Sequence, residues 1–137
     1  DRRKAEAALR ESESRLLHDA FHDGLTGLPN RALLMDRIGR ALERAGLAVR
    51  DIDAFKTHNP FALNDLVFSR EMGVDVAKMN NYGSSLVWGH PQAPMGTRSV
   101  IELIEELALR GGGRGLFAGC AAGDSAMALA IEVGDRH

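Results

Sequence analysis

The stretch from Thr97 to Val133 constrains the fold most, because it fixes the order helix, glycine stop, strand, strand. Val100, Ile101, Ile104 and Leu107 fall at helical spacing and are opposed by Glu102, Glu105 and Glu106, which predicts an amphipathic helix over 97–110. Gly111, Gly112 and Gly113 end it, since consecutive glycines forfeit helix propensity. Two apolar runs follow, Gly115–Gly119 and Ala126–Val133, both short enough to be buried strands.

Upstream, strand and helix signals alternate. Asp51–Phe55 is a plausible strand. Asn59-Pro60 reads as an N-cap with proline at the first helical position, opening a helix that carries Phe61, Leu66, Val67 and Met72 and stops at Gly73. A Gly/Ser/Asn-rich loop, the short apolar run Leu86-Val87-Trp88 and a second loop at Gly89-His90-Pro91 lead into the helix at 97. Trp88 and the methionines are expected to pack in the core. Ahead of all this, residues 2–21 read as an exposed helix with Ala5, Leu9, Leu16 and Ala20 near a heptad spacing that Ser12 interrupts. The run His22–Asn30 is a turn region, and His22-Asp23 is too weak a pair to assign a metal. Asn30 caps a second helix to about Ala45, with Leu33, Leu34, Ile38 and Leu42 on one face and Gly46 as its left-handed stop. The expected class is α/β, a mixed sheet with flanking helices preceded by a helical leader.

Composition narrows the function. The 137 residues suit one compact domain, and a net charge of -2 argues against a polyanion-binding protein, so no nucleic-acid partner is expected. No apolar run approaches the roughly 20 residues that span a bilayer, and no secretory leader opens the chain, so no membrane partner and a cytoplasmic location are expected. The single cysteine, Cys120, excludes an internal disulfide and a Cys-rich zinc site; by itself it reads as a small core residue.

Two family resemblances lie on these residues. His22-Asp23-Gly24-Leu25-Thr26-Gly27-Leu28-Pro29-Asn30-Arg31, behind a charged helix, resembles the entry into a diguanylate cyclase (GGDEF) domain, and residues 1–45 are read as such a leader. Asp51–Asn59 also resembles the cyclase phrase that holds magnesium and reads guanine. The distance from Arg31 is short by roughly two helical turns, Pro60 replaces an expected aspartate, and the Gly-Gly-Asp/Glu-Glu-Phe signature is missing, so that resemblance stops at the leader.

From about Ala41 to Val133 the chain resembles the C-terminal part of a thiolase, with 46–137 read as an incomplete domain of that type. Ala41–Leu47 is similar to the helix and turn before the first thiolase motif. Thr57-His58-Asn59-Pro60-Phe61-Ala62 takes the place of the Asn-Glu-Ala-Phe-Ala loop, Gly83–Pro91 resembles the Gly-His-Pro loop, and Cys120-Ala121-Ala122-Gly123-Asp124 sits where the family has Cys-x-Gly-Gly-Gly. A join between two such families fits a natural gene fusion, an engineered chimera or an assembly artefact equally.

The thiolase resemblance implies carbon–carbon bond chemistry next to a thioester, on an acyl-CoA substrate and without a resident cofactor. It gives His90 the activation of the nucleophile and part of an oxyanion hole, and Cys120 the acid/base work at the substrate α-carbon. His58 stands in for the asparagine that fixes a water, either donating directly or holding that water. The backbone at Ala122 and Gly123 would serve a second oxyanion hole, with Ala122 and Asp124 departing from the glycines usual there. The acyl-accepting cysteine of the family lies in a separate Cys-x-Ser context that this sequence lacks. The chain is therefore expected to need a complementing thiolase half, within a homo-oligomer or from another chain. The rival expectation is a non-catalytic signalling fragment in which residues 1–45 carry the function.

Overall fold

The computed structural model describes residues 2–24, 30–121 and 125–134, apart from the side chains of Cys120, Ala121 and Ser125. The elements run α1 (Arg2–Phe21), α2 (Arg31–Ala45), β1 (Ala54–Thr57), α3 (Ala62–Met72), α4 (Ser85–Trp88), α5 (Met95–Leu109), β2 (Gly113–Ala121) and β3 (Ser125–Val133), with 3-10 turns at Val49–Asp51 and Val76–Lys78. The strands form one mixed sheet in the order β1-β2-β3. β1 and β2 pair in parallel from Ala54↔Gly115 to Thr57↔Ala118, so the chain between them must cross over, and it does so through α3, α4 and α5. β2 and β3 pair antiparallel from Gly113↔Val133 to Ala121↔Ser125.

Period-two alternation along β1 and β2 divides the core between the two sheet faces. Phe55, Leu116 and Ala118 point to one side, where Ile38 and Leu42 of α2 and Phe68 of α3 meet them. Ala54 and Phe117 point to the other, against Leu103 and Leu107 of α5. The result is a helix–sheet–helix sandwich, the α/β class that the sequence pattern implies.

Local chemistry explains the boundaries. The Asn30 side chain accepts from Leu33 N at 3.2 Å, and Gly46 closes α2 with φ 66°. Asn30 also donates to Ala20 O at 2.9 Å, tying the end of α1 to the start of α2. No residue of α1 is buried, as expected of an exposed leader helix. No described helix is long and apolar enough to cross a membrane.

Three expectations are corrected. The strand expected at Asp51–Phe55 lies at Ala54–Thr57, because the Asp51 carboxylate accepts from Ala48 N at 2.8 Å and holds residues 49–51 in a 3-10 turn. The helix expected from Asn59-Pro60 begins at Ala62, because the Asn59 side chain is committed to Asp65 (2.5 Å) and does not cap. Trp88 is 36% exposed and lies outside the core, whereas Met79 and Met95 are buried in it. The run Leu86-Val87-Trp88 forms a single helical turn, with Ser84 Oγ accepting from Leu86 N at 3.3 Å.

Candidate functional site

The C-terminal ends of β1 and β2 lie side by side, and the site gathers there. His58 follows β1 directly; its backbone N–H donates to Ala118 O at 3.0 Å and so continues the parallel ladder one step. Beside it runs Gly119, where a Cβ would lie 3.1 Å from the Cβ of His58 and 2.8 Å from the ring of Phe117. Glycine is required because β2 and His58 approach too closely for a side chain between them. Cys120 is the next residue of β2, paired with Ala126, so its backbone is one residue past this contact; its side chain is not described. Ala122, Gly123 and Asp124 lie outside the described residues.

His90 reaches the same place from the loop between α4 and α5. Its Nδ1 stands 3.2 Å from His58 Nε2, and the two rings are 4.5 Å apart at 34°. His90 Nε2 lies 3.4 Å from the same His58 nitrogen, and the tautomer decides which ring nitrogen donates. Two residues far apart in sequence thus meet, and a pair of imidazoles can offer an N–H donor beside a basic nitrogen.

The His90 loop is pinned from both sides. Gly83 has φ 122°, and a Cβ there would fall 2.1 Å from the Trp88 ring, so the indole packs flat over a position only glycine can fill. The Arg98 guanidinium of α5 covers that indole at 3.7 Å from the ring centroid. Lys56, 1% exposed in β1, turns its ammonium to the carbonyls of Asn81 and Gly83 and lies 3.6 Å from Glu102. Burial lowers the lysine pKa from its ordinary value, and Glu102 and Glu106 oppose that shift.

A second network holds the His58 segment. Asp65 of α3 accepts from Thr57 Oγ1 (2.6 Å), Asn80 Nδ2 (3.0 Å) and Asn59 Nδ2 (2.5 Å). Asn80 in turn accepts from Thr57 N at 2.9 Å and donates to Thr57 Oγ1 at 2.8 Å. The residues on either side of His58 are thus clamped to one carboxylate, which also grips the start of the loop to His90. Sequence reasoning had singled out His58 and His90 but missed Lys56, Asp65 and Asn80. Lys56 and Asp65 stand among other polar residues of their elements, so local pattern did not single them out. Among the described residues no group of three or more His, Cys, Asp or Glu could hold a metal ion.

A parallel strand pair with its polar groups gathered at the carboxyl ends, inside an α/β sandwich, defines a cleft-forming α/β protein with a paired-imidazole site. The sequence profile of the thiolase C-terminal domain matches residues 29–133, a stretch that takes in α2 as well as everything after it. The chain belongs to the thiolase family. It is 38% identical over 131 residues to a 3-ketoacyl-CoA thiolase of Pseudoalteromonas atlantica, covering 83% of this chain and 29% of that protein. A thiolase of Ascaris suum, solved in complex with coenzyme A, superposes with a TM-score of 0.67 at 26% identity, over 74% of this chain and 26% of that one. The peroxisomal 3-ketoacyl-CoA thiolase of Saccharomyces cerevisiae, a five-layered structure built from two core domains of identical topology, superposes with a TM-score of 0.64 at 31% identity, over 74% and 28%. The chain therefore spans less than a third of the length of these relatives.

Proposed function

We propose that this chain forms the thioester-handling wall of a thiolase-type acyltransferase site, acting on an acyl-CoA substrate in the cytoplasm. The observation that carries the reading is the 3.2 Å contact between His58 Nε2 and His90 Nδ1 at the carboxyl ends of β1 and β2. In this proposal His90 takes a proton from an attacking thiol, and the second imidazole donates to the thioester oxygen as charge develops on it. Cys120 is the proposed acid/base at the substrate α-carbon, and backbone N–H groups at Ala122 and Gly123 the second oxyanion hole. No resident cofactor enters; the coenzyme A thioester is the substrate.

The sequence holds no second cysteine to accept the acyl group, so turnover in this proposal requires a complementing half. The exposed face of α3 supports that requirement. Phe61, at its N-cap, is 70% exposed and Leu66 61%, a surface that a second core domain would cover. The yeast relative is built from two such domains.

The test is to titrate acetyl-CoA into the protein while following the imidazole ¹⁵N resonances of His58 and His90. Saturable shifts in both rings, lost in His90→Ala, are expected; rings that do not move at millimolar acetyl-CoA would sink the proposal.

One observation favours a second reading, in which residues 1–45 act as a signalling leader of the diguanylate cyclase type: α1 is wholly unburied and offers Leu9 and Leu16 to solvent. It requires self-association that the double change Leu9→Ala, Leu16→Ala abolishes in sedimentation velocity. A monomer at all concentrations refutes it.

A further inference from the structure

The ammonium of Lys56 is enclosed by oxygen. It donates to the carbonyl of Asn81 and, at 3.1 Å, to that of Gly83, and it lies 3.6 Å from Glu102 Oε2. A lysine has only donors to satisfy, so these oxygens complete its shell. Glu106 adds a second carboxylate that acts on the same charge. Its side chain is fully buried, Oε1 accepts from Asn81 Nδ2 at 3.2 Å, and Oε2 has no hydrogen-bond partner. Backbone carbonyls and carboxylates turned inward on one buried positive charge are the surroundings that hold a monovalent cation stripped of its water.

The backbone that supplies the carbonyls is bent around this charge. Asn80 (φ 50°), Tyr82 (φ 66°) and Gly83 (φ 122°) all have positive φ, on either side of Asn81, and the first two carry side chains that disfavour it. Such conformations persist where the surroundings over-determine them, and the ammonium is the group that the Asn81 and Gly83 carbonyls share. From Gly83 the chain passes to Ser84, the N-cap of α4, and on to Trp88 and His90. A second path runs through Glu102, whose Oε1 accepts from Arg98 at 2.9 Å, the same guanidinium that covers Trp88. Lys56 itself stands two residues before His58. It therefore ties the loop that carries His90 to the strand that leads into His58.

We propose that this shell is a monovalent-cation site occupied by the protein's own lysine, and that Lys56 is thereby the positioning residue for His90. The charge of the side chain, and not the packing of its alkyl stem, holds the two imidazoles together. The inference takes the paired rings as the site and does not depend on the thioester reading, because its readout is the ring contact itself.

The experiment follows the inter-ring nuclear Overhauser contact of His58 and His90, and the fluorescence of Trp88, in the full chain with no ester present. Lys56→Met keeps the stem and removes the charge. The contact is expected to weaken about tenfold, the ratio that one buried charged hydrogen bond supports, with circular dichroism unchanged. Lys56→Ala removes the stem as well, and n-propylammonium chloride then returns the missing atoms from Cγ to Nζ. The amine should restore the contact, whereas n-propanol, its uncharged isostere, and sodium chloride at equal ionic strength should not. A contact unchanged in Lys56→Met overturns the proposal, since the loop then keeps its place without the charge. Restoration by n-propanol as full as by the amine overturns it too, because filling the space is then enough, and so does a contact the amine leaves unrestored. If neither variant folds in sodium chloride, folding of Lys56→Ala on addition of the amine supports the proposal, and failure to fold makes the lysine a general core element and overturns it. Where the contact behaves as expected and acetyl-CoA leaves both rings unmoved, the cation assignment stands and the thioester reading alone falls.

Discussion

Helices α3 and α5 flank the same sheet on opposite faces, and they are finished to different degrees. α5 buries Leu103 and Leu107 completely against Ala54 and Phe117, buries Glu106 beside them and sets Glu102 against Lys56, while Ile101, Ile104 and Leu109 stay exposed. α3 mixes Leu63, Leu66, Val67 and Phe68 with Asn64, Asp65, Ser69, Arg70 and Glu71, buries only Phe68 and leaves Leu63, Leu66 and Val67 partly or largely in water. The contrast is one of anchoring: two fully buried leucines hold α5 to the sheet and Phe68 alone holds α3, while both helices keep apolar side chains in water. It also explains why a sheet of three strands holds together: one face is closed by α5, the other by α2 and the single anchor Phe68.

The comparison breaks most directly with a pair of truncations. Leu103→Ala removes a side chain that the backbone of Gly115 touches, and should cost about 2–5 kcal/mol in urea unfolding. Leu66→Ala, 61% exposed, should change stability by no more than about 0.5 kcal/mol. Equal costs would mean that α3 is already covered, and the case for a complementing half would lose its support.

A smaller effect sharpens the comparison at the point where α3 is busy. Its Asp65 holds Thr57, Asn59 and Asn80 at once. Asp65→Ala strands these buried groups and should cost about 1–3 kcal/mol. The same change should separate the His58 and His90 rings, seen as loss of the inter-ring contact by nuclear Overhauser spectroscopy. Asp65→Glu, which keeps the carboxylate, should restore part of both. If the ring contact persists in Asp65→Ala, the network is a folding element without influence on the site.

These two helices also show what was legible in the sequence. α5 was legible from its helical spacing and glycine stop, which are local signals, but its buried face is Leu103, Glu106 and Leu107, and the expected stripe residues Ile101 and Ile104 are exposed because the fold sets which face meets the sheet. His58 and His90 stood out through motif order, and the fold brings their rings together across 32 residues, a contact that motif order did not imply. Lys56 and Asp65 were not visible, since burial of a lone charged residue depends on partners that periodicity does not encode; only the fold brings Asn81, Gly83 and Glu102 to the lysine. The strand at Ala54–Thr57 was placed early for the same reason: two of its four residues are polar but buried, and the apolar pattern alone points further upstream. α3 was expected to start at Asn59-Pro60 because the sequence could not reveal that Asp65 claims the asparagine.

The smallest effect concerns Lys56, which couples the α5 face to the loop bearing His90. Desolvation pulls its pKa below the ordinary lysine value while Glu102 and Glu106 pull it back up, so the net departure is a balance of opposing contributions. The sign follows from proton counts. With the folded value depressed, the unfolded chain binds more protons between the folded value and the ordinary lysine value, so stability rises with pH across that window. Below it both states are protonated, and the cost of burying the ammonium is present in full. Urea unfolding at intervals from pH 7 to about pH 10 should therefore show a rising contribution that Lys56→Met removes, the other lysines and Tyr82 being common to both proteins. Identical pH profiles in the two would mean that Glu102 and Glu106 compensate the burial fully. The lysine would then hold the loop as a satisfied ion pair between α5 and β1.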